Sequence, residues 1–173
     1  MSRAVDVVRT YLELRSPEQL RRAQLDDPRV RFVRRDGITV GHYRRLYQGV
    51  GARWHWHDRN GWSDERLAEH LSRPEITVWE CMVDDETAGF FELEQRDDGS
   101  VEISYFGLMP SFIGRGLGKA MLTRAADEAW GLGASRVWLH TCTLDSPNAL
   151  PNYKARGFRE FKQERFVEQL PDE

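Results

Sequence analysis

Apolar positions along this chain recur first at helical spacing and later in alternating blocks. Val5, Val8 and Leu12 fall one helical turn apart, and Ser16-Pro17-Glu18 starts a second short helix with a cap and a proline in its first turn. Residues 1–28 therefore read as an N-terminal helical extension, and 29–173 as a single domain. Val30–Val33 reads as a first strand, and Thr39–Gln48 and Ser63–Leu71 as helices opened by Thr and Ser caps. Ile76–Val83 and Ala88–Glu94 are strands joined by a turn through Asp84-Asp85-Glu86-Thr87, and a polar turn over Arg96–Gly99 leads to a strand over Val101–Leu108. Gly116–Leu132 is the clearest helix: Leu117, Met121, Leu122, Ala125, Ala129 and Leu132 share one arc, with Lys119, Thr123 and Asp127 opposite. Arg136–Thr141 is a further strand, Pro147–Lys154 a short irregular helix, and Phe158–Val167 a closing extended segment. With no repeats or low-complexity stretches, the pattern predicts one mixed α/β domain.

Composition narrows the function without naming it. At 173 residues and 40% apolar, the chain has the length for a substantial core. A net charge of −3 gives no footprint for nucleic acid or an anionic membrane, so neither is expected as a partner. The two cysteines, Cys81 and Cys142, are too few and too far apart for a disulfide framework or a metal cluster. The first residues lack the apolar run of a signal peptide, and no stretch approaches the length of a membrane span. A cytoplasmic location with reduced cysteines follows as an expectation.

The segment Ser104–Ala120, SYFGLMPSFIGRGLGKA, carries the chemistry. A strand breaks at a proline, passes through Gly114, Gly116 and Gly118, and enters a helix. Free N–H groups of a first helical turn, with the helix dipole behind them, favour an anion. Glycines let that backbone turn sharply and approach a phosphate, and Arg115 and Lys119 add positive charge. A P-loop is excluded, because Ala120 follows Lys119 where Ser or Thr is required. The glycine spacing also misses the dinucleotide fingerprint, and the loop lies late in the chain.

Ile113-Gly114-Arg115-Gly116-Leu117-Gly118 after a strand and a proline resembles the pyrophosphate loop of the GCN5-related N-acetyltransferases, Arg/Gln-x-x-Gly-x-Gly/Ala. Ala149, Tyr153, Gly157 and Phe158 match that family's Ala-x-x-x-Tyr-x-x-x-Gly-Phe block near the C-terminus. The resemblance spans roughly Val30–Glu168. Two positions depart from it: Ile113 stands where Arg or Gln is usual, and Ser146 where Asn is frequent. The resemblance implies a central mixed, mostly antiparallel sheet with a splayed parallel strand pair, flanked by helices. The strands Val101–Leu108 and Arg136–Thr141 should be adjacent, parallel and open at their C-terminal ends. It also implies acetyl-CoA as acyl donor, no metal, and an N-acyltransferase that is a monomer or homodimer. Phe106, Gly107 and Leu108 would pair with the pantetheine arm, and Ile113, Gly114, Arg115, Gly116, Leu117, Gly118 and Lys119 would hold the pyrophosphate.

By the same resemblance Tyr153 lies at the CoA sulfur, where its hydroxyl would protonate the departing thiolate; the alternative is a tyrosine that only packs against the sheet. Glu102 is the candidate base, against the alternative of a surface glutamate paired with Lys or Arg. Alternation places it with Ser104, Phe106 and Leu108 on one strand face and Val101, Ile103 and Tyr105 on the other. Glu92 and Glu94 are weaker versions of the same idea, and His140 is a candidate proton relay or a structural histidine. Trp54, Trp56 and Trp62 would line an acceptor site for an apolar or aromatic amine, with a cation resting on their faces, or would simply anchor helices. His55, His57 and Asp58 lack a partner cluster that would make them metal ligands. Three functional readings stand: acetylation of a small-molecule amine, acetylation of a protein lysine or N-terminus, and a non-catalytic acyl-CoA-binding module.

Overall fold

The computed structural model describes residues 1–172. Seven strands form one sheet: β1 Ser2–Leu14, β2 Val30–Arg34, β3 Ile76–Val83, β4 Glu86–Gln95, β5 Val101–Leu108, β6 Val137–Cys142 and β7 Arg159–Pro171. Their order across the sheet is β2-β3-β4-β5-β6-β1-β7. Every neighbouring pair is antiparallel except β5 and β6. Four helices flank it: α1 Val40–Gly51, α2 Asp64–Ser72, α3 Leu117–Gly131 and α4 Ala149–Ala155.

The N-terminus corrects the expectation of a helical extension. Residues 2–14 form the strand between β6 and β7, paired along both edges. Val5, Val7, Val8, Thr10 and Tyr11 are β-branched or aromatic, and two waiting ladders outweigh a three-residue match to helical spacing. The short helix expected at Ser16-Pro17-Glu18 is a single 3₁₀ turn, Pro17–Gln19. From there the chain crosses α3 to the opposite edge of the sheet. It is held by Arg21 N–H to the Arg156 carbonyl at 2.8 Å and by Ala23 N–H to Thr123 Oγ1 at 3.0 Å.

Two apolar layers hold the sheet. On one face α3 buries Met121, Leu122, Ala125 and Ala129 against Leu12, Phe91, Leu93, Ile103 and Leu139. On the other, Tyr43, Leu46, Tyr47 and Val50 of α1 and Leu67 of α2 cover Val78 and Phe90. Each fully buried large side chain contributes about 1.5–3 kcal/mol through loss of water contact. The expected caps form: Thr39 Oγ1 accepts from His42 N–H and Ser63 Oγ from Arg66 N–H, each at 3.1 Å. Among the described residues no helix is long and apolar enough to cross a membrane.

One irregularity shapes the site. Along β4 and β5 the register slips by one residue at Ser104, because Leu93 faces Ile103 while Glu92 faces Tyr105. This β-bulge exchanges the faces expected from simple alternation. Val101 and Ile103 share the α3 side with Phe106 and Leu108, and Tyr105 turns to the α1 side. Just before the bulge, β5 pairs with β6 only at Val101–Val137 and Glu102–Trp138. Beyond those two positions the strands part, giving the parallel, splayed pair that the family resemblance implies.

Candidate active site

The gap between β5 and β6 opens into a cleft of about 640 Å³. Past Glu102, the β6-facing backbone groups of β5 have no ladder partner among the described residues, so Ser104–Leu108 presents N–H and C=O groups to the cleft. Phe106, Gly107 and Leu108 all line it. A Cβ at Gly107 would stand 2.4 Å from Val50 Cγ1, so glycine is what lets α1 press this closely on the strand.

At one end the loop after β5 turns back through a 3₁₀ turn over Pro110–Phe112 and enters α3. Gly114 and Gly116 hold φ of +86° and +78°, conformations open to glycine and strained for other residues. Gly116 is the N-cap of α3 and offers no side-chain oxygen. α1 and α2 have side-chain caps, but the first N–H groups of α3 are left to the cleft, which is an anion-holding arrangement. Ile113, Gly114, Gly116, Gly118 and Lys119 line this end. Arg115 instead lays its guanidinium over the Phe112 ring at 4.9 Å, and Leu117 is buried in the α3 core. Gly118 has an ordinary helical backbone, and its carbonyl accepts from Asn152 Nδ2 at 3.2 Å, tying α3 to α4.

Tyr153 projects from α4 into the middle of the cleft, with the Phe106 ring edge-on at 6.0 Å and Phe158 at 6.3 Å. Burial first, and the Asp145 charge second, push its phenol well above the ordinary tyrosine range. The hydroxyl therefore stays protonated and acts as a donor.

The far end is made of side chains from distant segments. Trp54, Trp56, Asp58 and Arg59 come from the loop between α1 and α2, Glu102 from β5, and His140 from β6. Arg9 of β1 and Phe166 and Glu168 of β7 close it. Trp56 is fixed by its indole N–H, which donates to Asp145 Oδ1 at 3.3 Å, and by Tyr105 edge-on at 5.1 Å. Asp145 is itself anchored by Thr141 Oγ1 at 2.6 Å and Cys142 N–H at 3.0 Å. Trp62 lies elsewhere, stacked under Arg66 at 4.0 Å and beside His70.

Glu102 is 4% exposed and held by a close ion pair with Arg96, whose guanidinium also meets Glu94 at 3.1 Å. Glu92 is further from any proton-transfer role. Fully buried, it accepts from Arg59 at 2.6 Å, Tyr43 at 2.7 Å and Ser104 at 3.3 Å, with His70 Nε2 at 3.0 Å. Burial alone would raise its pKa, but His70, Arg59 and Tyr43 outweigh that and hold the carboxylate below its usual range. Arg59 in turn stacks over Tyr105 at 4.5 Å, so this cluster pins the tryptophan loop to the sheet. Asp145, Arg9, Arg59, Phe166 and Glu168 had no signal in the sequence. Each reaches the cleft only through a long-range contact.

The profile of the acetyltransferase (GNAT) family matches residues 43–158. A mycothiol acetyltransferase of Mycobacteroides abscessus is 30% identical over 159 residues, 84% of this chain and 53% of that protein. An uncharacterized N-acetyltransferase of Mycobacterium tuberculosis is 34% identical over 77 residues, 44% of this chain and 49% of its own length. The chain thus spans about half the length of these curated relatives. Among solved structures, a GCN5-related N-acetyltransferase from Kribbella flavida superposes with a TM-score of 0.68 at 16% identity, over 98% of this chain and 61% of that one. An aminoglycoside acetyltransferase from an uncultured soil metagenomic sample gives 0.63 at 15% identity, over 75% and 88%. At those identities the structures speak for the fold alone. The matched span takes in the splayed strands, the glycine loop and Tyr153 together, and this chain belongs to the GNAT acetyltransferase family.

Proposed function

We propose that this chain transfers the acetyl group of acetyl-CoA to a primary amine of a small molecule, by direct attack within a ternary complex. The observation that carries the reading is the continuity of the cleft. One cavity joins an uncapped helix start, unpaired strand backbone and an aromatic pocket, so donor and acceptor can be present together. The residues fit the donor: α3 first-turn N–H groups and Lys119 for pyrophosphate, and the β5 edge through Phe106, Gly107 and Leu108 for a pantetheine arm bound like an added strand. The donor supplies a thioester: a C–N bond forms as the C–S bond breaks, and one proton leaves nitrogen while one arrives at sulfur.

Tyr153 supplies a hydrogen bond to the departing sulfur. A thiol titrates near ~8.5, so outright transfer from this more weakly acidic phenol runs uphill, and donation without transfer is its natural role. Trp54 and Trp56 give the acceptor apolar walls, with Asp58 and Glu102 supplying negative charge near a cationic amine. The named activity of the mycothiol relative supports a small-molecule acceptor.

Calorimetry with CoA and a thiol-release assay over amines and peptides test this together. Saturable CoA binding with turnover on a small amine is expected. Binding without turnover on any acceptor would leave an acyl-CoA-binding module, and turnover on peptides alone would move the acceptor to protein.

A further inference from the structure

The carboxylates of the cleft are almost all committed. Glu102 and Glu94 share Arg96, Glu168 pairs with His57 at 3.2 Å, and Asp145 accepts three hydrogen bonds. His140 differs. It lies on β6 two residues past Trp138, the register partner of Glu102, and so beyond the last rung of the β5–β6 ladder. Its ring is exposed to the cleft, with Tyr11 alongside at 5.4 Å, and neither nitrogen has a hydrogen-bond partner among the described residues. A strand histidine held for structure has a partner; this one faces the acceptor end with both nitrogens available.

We propose that His140, rather than Glu102, is the base that takes the proton from the attacking amine. The inference rests on the acetyltransferase reading of the same cleft. As the nitrogen bonds to the acetyl carbon, its proton passes to the imidazole; the C–S bond then breaks and the sulfur leaves as thiolate, hydrogen-bonded to Tyr153. The proton on His140 returns through solvent to the thiolate, so the amine's proton ends on sulfur and both side chains regain their starting forms.

The surroundings suit a neutral imidazole. Partial burial lowers its basicity first, and Arg9 on β1 acts in the same sense. Glu102 on β5, Asp145 after β6 and Asp58 after α1 oppose it, and the net direction is down from the ordinary histidine value. Tyr11 on β1 adds its ring. His140 is thus unprotonated at neutral pH and able to accept.

The test is the pH dependence of kcat/KM, expressed on free-amine concentration, with an amine found by thiol release. Wild type should lose activity as pH falls through a value below ~6.5, and the His140 ring should titrate at that same pH by NMR. His140→Gln should lower turnover roughly 10²–10⁴-fold and remove that limb, with CoA affinity unchanged. Glu102→Gln should keep the limb and move it to lower pH, because an opposing negative charge is gone. A limb that survives in His140→Gln and disappears in Glu102→Gln makes Glu102 the base and overturns the proposal. So does an NMR titration of His140 away from the kinetic limb, a comparison that needs no variant to fold. Absence of turnover by wild type on every acceptor is a different failure: it removes the acetyltransferase reading itself.

Discussion

The Gly114–Lys119 end of the cleft is made of backbone, whereas the Trp54–Arg59 end is made of side chains. The first comes from one continuous stretch, β5 through the first turn of α3. The second is gathered from β1, the α1–α2 loop, β5, β6 and β7. N–H groups can hold a phosphate whatever the neighbouring side chains are, so Ile113 can stand where the resembling loop has Arg or Gln. The aromatic and charged end has no such insulation. Its shape depends on Asp145 holding Trp56 and on Glu92 holding Arg59. In the proposed reading, one end keeps a common ligand and the other is free to change its acceptor.

Breaking the backbone end should give the largest effect on CoA binding. Gly116→Val forces a β-branched residue into a left-handed conformation and places side-chain atoms at the helix start. CoA affinity should fall by at least about 100-fold in calorimetry, roughly 2.7 kcal/mol. Gly118→Ala sharpens the point. Its Cβ would meet only Asn152 Nδ2 at 3.6 Å and Leu108 Cδ1 at 3.8 Å, ordinary contacts, and the resembling loop takes Gly or Ala here, so CoA affinity and melting temperature should both hold. Wild-type affinity in Gly116→Val would place the anion elsewhere.

The side-chain end should break through stability. Glu92→Gln leaves Arg59 charged and buried without its counter-ion, a loss of about 3–5 kcal/mol by denaturant unfolding. Acid should reveal the same pair in wild type. The folded pKa of Glu92 lies below its unfolded value near ~4.3, so its contribution is present above that pH and lost as pH falls below it. The acid-side loss of stability should be shallower in Glu92→Gln than in wild type; equal slopes would mean Glu92 is not the group responsible.

Between the two ends, Tyr153→Phe keeps the ring contacts with Phe106 and Phe158 and removes the hydrogen bond proposed to the departing sulfur. Turnover should drop roughly 10²-fold with CoA affinity and melting temperature near wild type. Unchanged kcat would make Tyr153 a packing residue. The smallest effect is expected for Trp56→Phe, which loses the indole bond to Asp145: the amine KM should rise by about tenfold while CoA affinity stays fixed. A change in CoA affinity instead would assign Trp56 to the donor end.

The same contrast explains what the sequence could reveal. The glycine loop, the strand before it and the Tyr153 block are local patterns, so their elements are readable from spacing, and their meeting follows from the family resemblance. The bulge at Ser104 was not, because one residue of slip depends on which side chains of β4 and β5 pack together, and it reverses the faces of everything after it. β1 was mistaken for helix because its pairing partners lie more than a hundred residues away. Asp145 carries no sequence pattern of its own, and only Trp56, far upstream, gives it a role in the site.

The central claim is that CoA lies along the open edge of β5 with its pyrophosphate on the start of α3. Amide hydrogen exchange with and without saturating CoA tests that most directly, because it reads the backbone groups themselves. Protection should appear at residues 105–108 and 113–119 and be absent from the edge strand β2, Val30–Arg34. Saturable binding with no added protection at either cleft segment would contradict the account.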